Sequence, residues 1–178
     1  SGARVARVGG PFAGMGDFTV SAEEMKVRFG IETLELSGET LGKIYDSVTE
    51  EEVEAERLAN EALCDIQADT SEEGYKAYLR SCVAVEKCLR QEGLNAFSAT
   101  FLGMGKDTAG IPTMPFMACC KAMERGIGYA GEGDTLTASF VGALLRGWQE
   151  TTFVEIFCPD WKNNLLFLSH MGEVNYRI

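Results

Sequence analysis

The chain contains one histidine in 178 residues. A site that needs two imidazoles cannot be completed by this sequence alone. Positive charge is also scarce: 16 Lys and Arg stand against 27 Asp and Glu, a net charge of −11. Nucleic acids and anionic membrane surfaces are recognised through a basic footprint, so neither is an expected partner. No uncharged apolar run of about 18 residues occurs, which leaves no candidate membrane-spanning segment. The first residues lack the apolar core of a signal peptide. Six cysteines are present, at 64, 82, 88, 119, 120 and 158, but none forms C-x-x-C, which excludes a zinc ribbon or thioredoxin motif.

What is present describes a globular α/β protein. With 46% apolar and 24% charged residues, the chain can bury a substantial core. Disulfide staples are then unnecessary, and the cysteines are expected to be small buried hydrophobes in a reducing cytoplasm. Both ends look cut. Ser1-Gly2 resembles a cloning scar, and residues 175–178 follow an apolar strand without a polar tail. The expectation is a segment excised from a longer protein.

Local signals alternate between strand and helix. Residues 3–8 read as a strand, followed by a glycine-rich loop at 9–17. Ser21 with Glu24 three residues on forms a capping-box pattern, and Gly30 suits the end of that helix. Residues 31–36 alternate as a strand does, Thr49 opens an acidic helix start, and Ser71 begins a longer helix ended by Gly93. Residues 94–102 read as β, 112–125 as a helix with Pro112 near its start, 126–134 as a glycine-rich turn, and 135–146 as a helix. This order predicts an α/β fold with a mainly parallel sheet and flanking helices, Rossmann- or flavodoxin-like. Two apolar strands, 152–158 and 164–171, have no helix between them and predict an antiparallel hairpin. The switch near Gly147-Trp148 divides the chain into an α/β domain at 1–147 and the truncated start of a β domain at 148–178.

Candidate chemistry sits in three places. Neither glycine-rich loop, Gly9–Gly16 or Gly103–Thr108, has phosphate-binding spacing; Asp107 stands where a P-loop has its hydroxyl residue. Glu132 lies between two glycines at a helix mouth, where it is either a helix-start charge or a site carboxylate. Glu155 interrupts an apolar strand, and a buried carboxylate is costly unless paired or bound to a metal. A two-residue Lys162-Asn163 turn would place Glu155 directly opposite His170, with Cβ atoms about 5 Å apart. Two carboxylates and an imidazole facing one point suit a hard ion such as Mn²⁺; without a metal, Glu155 and His170 form a structural pair.

Longer motifs carry a family resemblance. Residues 5–18 contain Pro11-Phe12-x-Gly14-Met15-Gly16-Asp17-Phe18. Residues 128–134 contain Gly-x-x-x-Glu132-Gly133-Asp134. Residues 152–155 end Phe153-Val154-Glu155, and residues 168–174 contain His170-Met171-x-Glu173-Val174. In this order, with 23 residues from Glu132 to Glu155 and 15 from Glu155 to His170, they resemble the L-arabinose isomerase / L-fucose isomerase superfamily, nearer its arabinose side. The resemblance implies a metal-dependent aldose–ketose isomerase acting through an enediol, with Mn²⁺ or another divalent cation as Lewis acid. It implies Glu132 and Glu155 as ligands and acid–base groups and His170 as a ligand. Asp134 either contacts substrate or orients the Glu132 loop. It further implies a cytoplasmic homo-oligomer, a trimer or hexamer, and a small sugar substrate. The family has another histidine ligand beyond this segment and an N-terminal domain before it, so the isolated segment is expected to be inactive. The chain departs from the family pattern at Ile156, where an acidic residue is common, and in the stretch Phe157-Cys158-Pro159-Asp160-Trp161. The competing reading is a non-catalytic α/β module that binds a sugar or nucleotide through its glycine-rich loops.

Overall fold

Capping residues decide where the helices begin. A computed structural model describes residues 2–178, and in it the hydroxyls of Ser21, Ser37, Thr49 and Ser71 accept the N–H of Glu24, Thr40, Glu52 and Gly74. These open α1 (Ala22–Phe29), α2 (Gly38–Asp46), α3 (Glu50–Glu61) and α4 (Glu72–Gln91). At Thr49 the box is reciprocal, with the Glu52 carboxylate accepting the Thr49 N–H at 2.9 Å. At Ser21 only the hydroxyl-to-backbone half forms, and Gly30 ends that helix in the left-handed region.

β1 (Arg4–Val8), β2 (Glu32–Leu36), β3 (Ala96–Ala99) and β4 (Gly128–Gly131) form one parallel sheet in the order β2-β1-β3-β4. The chain reverses its direction of growth between β1 and β3, the topological switch of doubly wound folds. Alternation along the strands builds two cores. Val5, Ala96 and Ala130 meet α1 and α6 (Thr135–Leu145) on one face. Ala6, Phe97 and Tyr129 meet α2, α3, α4 and α5 (Phe116–Glu124) on the other. The α/β expectation therefore holds.

Four local expectations are corrected. The helix expected over 112–125 begins at Phe116, with Pro115 outside the helical region as its N-cap. The turn expected at 126–134 contains β4, fully buried. Its Gly128 allows α6 to approach: a Cβ there would lie 2.1 Å from the Ala138 carbonyl oxygen. Helix α2, capped by Ser37, was not among the expected elements. The β segment expected over 94–102 is paired only over Ala96–Ala99 and ends in a 3-10 turn at Phe101–Gly103.

Of the six cysteines, Cys82, Cys88, Cys119 and Cys120 are buried as expected, whereas Cys64 and Cys158 are exposed. Burial pushes the Cys82 thiol up to about 12 and the Cys88 thiol up to about 11, so both stay protonated.

The C-terminal hairpin pairs β5 (Glu155–Asp160) with β6 (Leu165–Ser169). Its tip is closed by the Asp160 carboxylate, which accepts the N–H groups of Lys162 and Asn163, each at 3.1 Å. Ile156, Phe157, Trp161, Leu166 and Phe167 stand exposed on it. Among the described residues, no helix is long and apolar enough to cross a membrane.

Candidate functional site

Glu132 stands at the carboxyl end of β4, where ligands of open α/β sheets bind. Its φ is +65°, a left-handed conformation uncommon for a residue with a side chain. The surroundings hold it there. Phe12 N–H donates to the Glu132 carbonyl at 2.9 Å, and buried Arg7 donates through Nε to the Gly133 carbonyl at 2.9 Å. A second Arg7 nitrogen donates to Thr135 Oγ1 at 3.2 Å. Gly133 packs so closely on the first glycine-rich loop that a Cβ would lie 2.5 Å from the Gly10 carbonyl oxygen. Strain maintained by so many contacts is characteristic of functional positions.

The carboxylate so placed is only partly satisfied. Glu132 Oε2 is buried and has no hydrogen-bond partner. Burial raises the Glu132 pKa first, and the charges of Glu155 and then Glu173 raise it further against the opposing effect of His170. Glu132, Glu155, His170 and Glu173 line one cleft of about 390 Å³ at the ends of β3 and β4. Its remaining wall is largely apolar and includes Phe101, Met114, Phe116 and Phe157.

His170 follows the last residue of β6. Its Nδ1 lies 3.0 Å from Glu173 Oε2 and 3.2 Å from the Glu173 carbonyl oxygen. Tyr129, on β4, donates its hydroxyl to Glu173 Oε1 at 2.6 Å. The edge of Phe153 packs on the imidazole, with centroids 4.8 Å apart. A Cβ on Gly131 would lie 3.4 Å from Nε2, which places this nitrogen at the carboxyl end of β4. The hydrogen bond to Glu173 is the largest influence on the imidazole and raises its pKa; burial opposes it.

The expected pairing of Glu155 with His170 is corrected. Near the tip, Asp160 faces Leu165 and Cys158 faces Phe167, the register expected, but the turn is the four residues 161–164 and not Lys162-Asn163 alone. The register then slips between Ile156 and Cys158, so that Glu155 faces Ser169. Phe157 is the extra residue of this bulge. His170 lies beyond the last pair, outside the strand's alternation, and still joins Glu155 in the cleft. Asp134 lies outside it: its Oδ1 caps α6 by accepting the Thr137 N–H at 2.9 Å.

The donor set suits a hard divalent cation in chemistry: two carboxylates, one with an unpartnered buried oxygen, and an imidazole whose Nδ1 is already engaged. The arrangement is open, however. Among the described residues, no three His, Cys, Asp or Glu side chains converge tightly enough to enclose an ion. Sequence reasoning did not assign roles to Glu173, Tyr129 or Arg7. A glutamate three residues after the only histidine was the available signal for the first; nothing local marks the other two.

The fold and cleft define a class: a doubly wound α/β domain with an acid–imidazole site on the carboxyl edge of its sheet. Comparison makes the class specific. The family model described as the L-arabinose isomerase central domain matches residues 4–146, and the chain belongs to that family. An L-arabinose isomerase of Shouchella clausii is 32% identical over 142 residues, covering 75% of this chain and 28% of the relative. One from Aeromonas salmonicida is 30% identical over 165 residues, covering 85% and 32%, and one from Bacillus subtilis is 29% identical over 143 residues, covering 75% and 28%. The chain thus spans about a third or less of the length of these curated relatives.

Proposed function

We propose that this chain is the central part of a cytoplasmic, metal-dependent aldose–ketose isomerase acting on L-arabinose or a sugar of similar size. The observation that carries this reading is the meeting of Glu132, Glu155 and His170 in one cleft, in a chain related to L-arabinose isomerases. Glu132, Glu155 and His170 Nε2 would hold Mn²⁺ or another divalent cation. Such an ion supplies Lewis acidity, which polarises the sugar carbonyl and acidifies the adjacent C–H.

The side chains move the protons. Glu132, with an unpartnered oxygen and a raised pKa, takes the proton from C2 of the open-chain aldose. The electron pair released forms the enediol C1–C2 double bond, and the former carbonyl oxygen gains a proton. Return of a proton to C1, with loss of the O2 proton, gives the ketose. Glu155 carries the hydroxyl protons in this cycle. Asp134 serves by capping α6 and steadying the Glu132 loop.

The exposed hairpin supports assembly with further polypeptide, in keeping with a homo-oligomer. This chain by itself is expected to have little or no turnover. The test is Mn²⁺ calorimetry on the chain, with isomerase assays on the full-length protein over pentoses and 6-deoxyhexoses. Glu132→Gln and Glu155→Gln should each weaken Mn²⁺ binding at least tenfold and abolish ketose formation. A full-length protein inactive over the whole panel overturns the reading. Tight sugar binding in EDTA would favour a non-catalytic module.

A further inference from the structure

Half-buried Glu132 and buried Glu173 are carboxylates of two kinds. Glu132 keeps an oxygen without a partner, whereas both oxygens of Glu173 are engaged, Oε1 by the Tyr129 hydroxyl and Oε2 by His170 Nδ1. The Glu173 side chain is 4% exposed, and its carboxylate comes back to the imidazole because the chain folds at Gly172. There φ is +130°, and a Cβ would lie 2.8 Å from the Phe116 ring.

We propose that Glu173 is a positioning residue: it holds His170 as the Nδ1–H tautomer and thereby presents the Nε2 lone pair to the cleft, with Tyr129 anchoring the far oxygen of Glu173. The physical basis is simple. A neutral imidazole has one N–H, and the Glu173 carboxylate at 3.0 Å, reinforced by the Glu173 carbonyl oxygen at 3.2 Å, places it at Nδ1. The nitrogen left as acceptor is then the one at the end of β4. Partners of this kind orient ligating imidazoles and raise their basicity. The metal-binding half of this inference rests on His170 being a ligand; the tautomer half does not.

The single histidine makes the test unambiguous, because every imidazole signal in a ¹⁵N-labelled sample belongs to His170. At about pH 8, the parent chain should show a neutral ring with a protonated Nδ1 and a bare Nε2. Glu173→Gln should disturb this. A glutamine has only one oxygen, and while that accepts from Tyr129 its amide nitrogen faces Nδ1. The Nε2–H tautomer should therefore become prominent, and Mn²⁺ affinity, read by calorimetry, should fall about tenfold or more. Adding Tyr129→Phe frees the amide to turn its oxygen toward Nδ1–H. The double variant should regain the original tautomer and part of the affinity, which a merely structural role for either residue does not predict. Glu173→Ala, which removes the carboxylate without adding an amide donor, serves if Glu173→Gln fails to fold, and should produce a smaller change in the same direction.

An unchanged tautomer in folded Glu173→Gln overturns the proposal. A changed tautomer with unchanged Mn²⁺ affinity upholds the positioning role and instead overturns His170 as a ligand.

Discussion

Glu56 and Glu132 are both carboxylates withdrawn from water, and they differ in what stands beside them. Glu56, on α3, meets Lys121 Nζ of α5 at 2.7 Å, and the two side chains are 10% and 9% exposed. Glu132 has an oxygen with no partner at all. For both, burial is the largest influence and raises the pKa. At Glu56 the leading opposition is a dedicated ammonium, whereas at Glu132 a second carboxylate adds to the burden. The first arrangement ties helices together. The second leaves a carboxylate oxygen unpartnered beside the cleft, at a cost that the Arg7 and Phe12 hydrogen bonds to the loop offset.

The largest expected effect breaks the paired side. Lys121→Met strands the Glu56 charge and should cost about 3–5 kcal/mol in denaturant unfolding. Adding Glu56→Leu should recover most of that, because two apolar side chains replace a desolvated pair. A loss below about 1 kcal/mol in the single variant would erase the contrast.

Next in size is the response to metal. With free Mn²⁺ at about 100 times its dissociation constant, the chain should gain about 2.7 kcal/mol in thermal unfolding. That gain should survive in the Lys121→Met/Glu56→Leu variant and disappear in Glu132→Gln/Glu155→Gln. Equal gains in both would mean that the ion binds elsewhere.

The smallest effect sharpens the unpaired side. Without metal at neutral pH, Glu132→Gln should raise Tm by about 1–2 °C, since a neutral amide avoids both the desolvation and the repulsion. The sign with pH follows from the raised pKa. The folded chain takes up this proton at a higher pH than the unfolded chain, so the cost of the charge is full above the folded value. It fades as pH falls and is gone below the ordinary value of 4.5. The Tm difference between variant and parent should close over that window. A variant less stable than the parent at neutral pH refutes the contrast.

Much of the fold was legible because caps act locally. Ser21, Thr49 and Ser71 each satisfy donors within three residues, and each opened its helix as expected. The elements missed or misplaced depend on distant partners. β4 is half glycine and is a strand because β3 and α6 enclose it. The hairpin register was correct near the tip, where the Asp160 turn sets it, and slipped where a bulge at Phe157 intervenes.

The cleft divides the same way. Glu155 and His170 stood out as polar residues in apolar strands and Glu132 as a carboxylate between two glycines, and their spacing carried the family resemblance. That much is a property of the chain itself, because patterning and motif order are written along one dimension. Three things were decided only in three dimensions: that Glu132 adopts a left-handed backbone, that Arg7 reaches across 126 positions to its loop, and that Glu173 turns back at Gly172 to take His170 on one oxygen and Tyr129 on the other. Each depends on desolvation and on the meeting of segments remote in sequence, and no local signal encodes either.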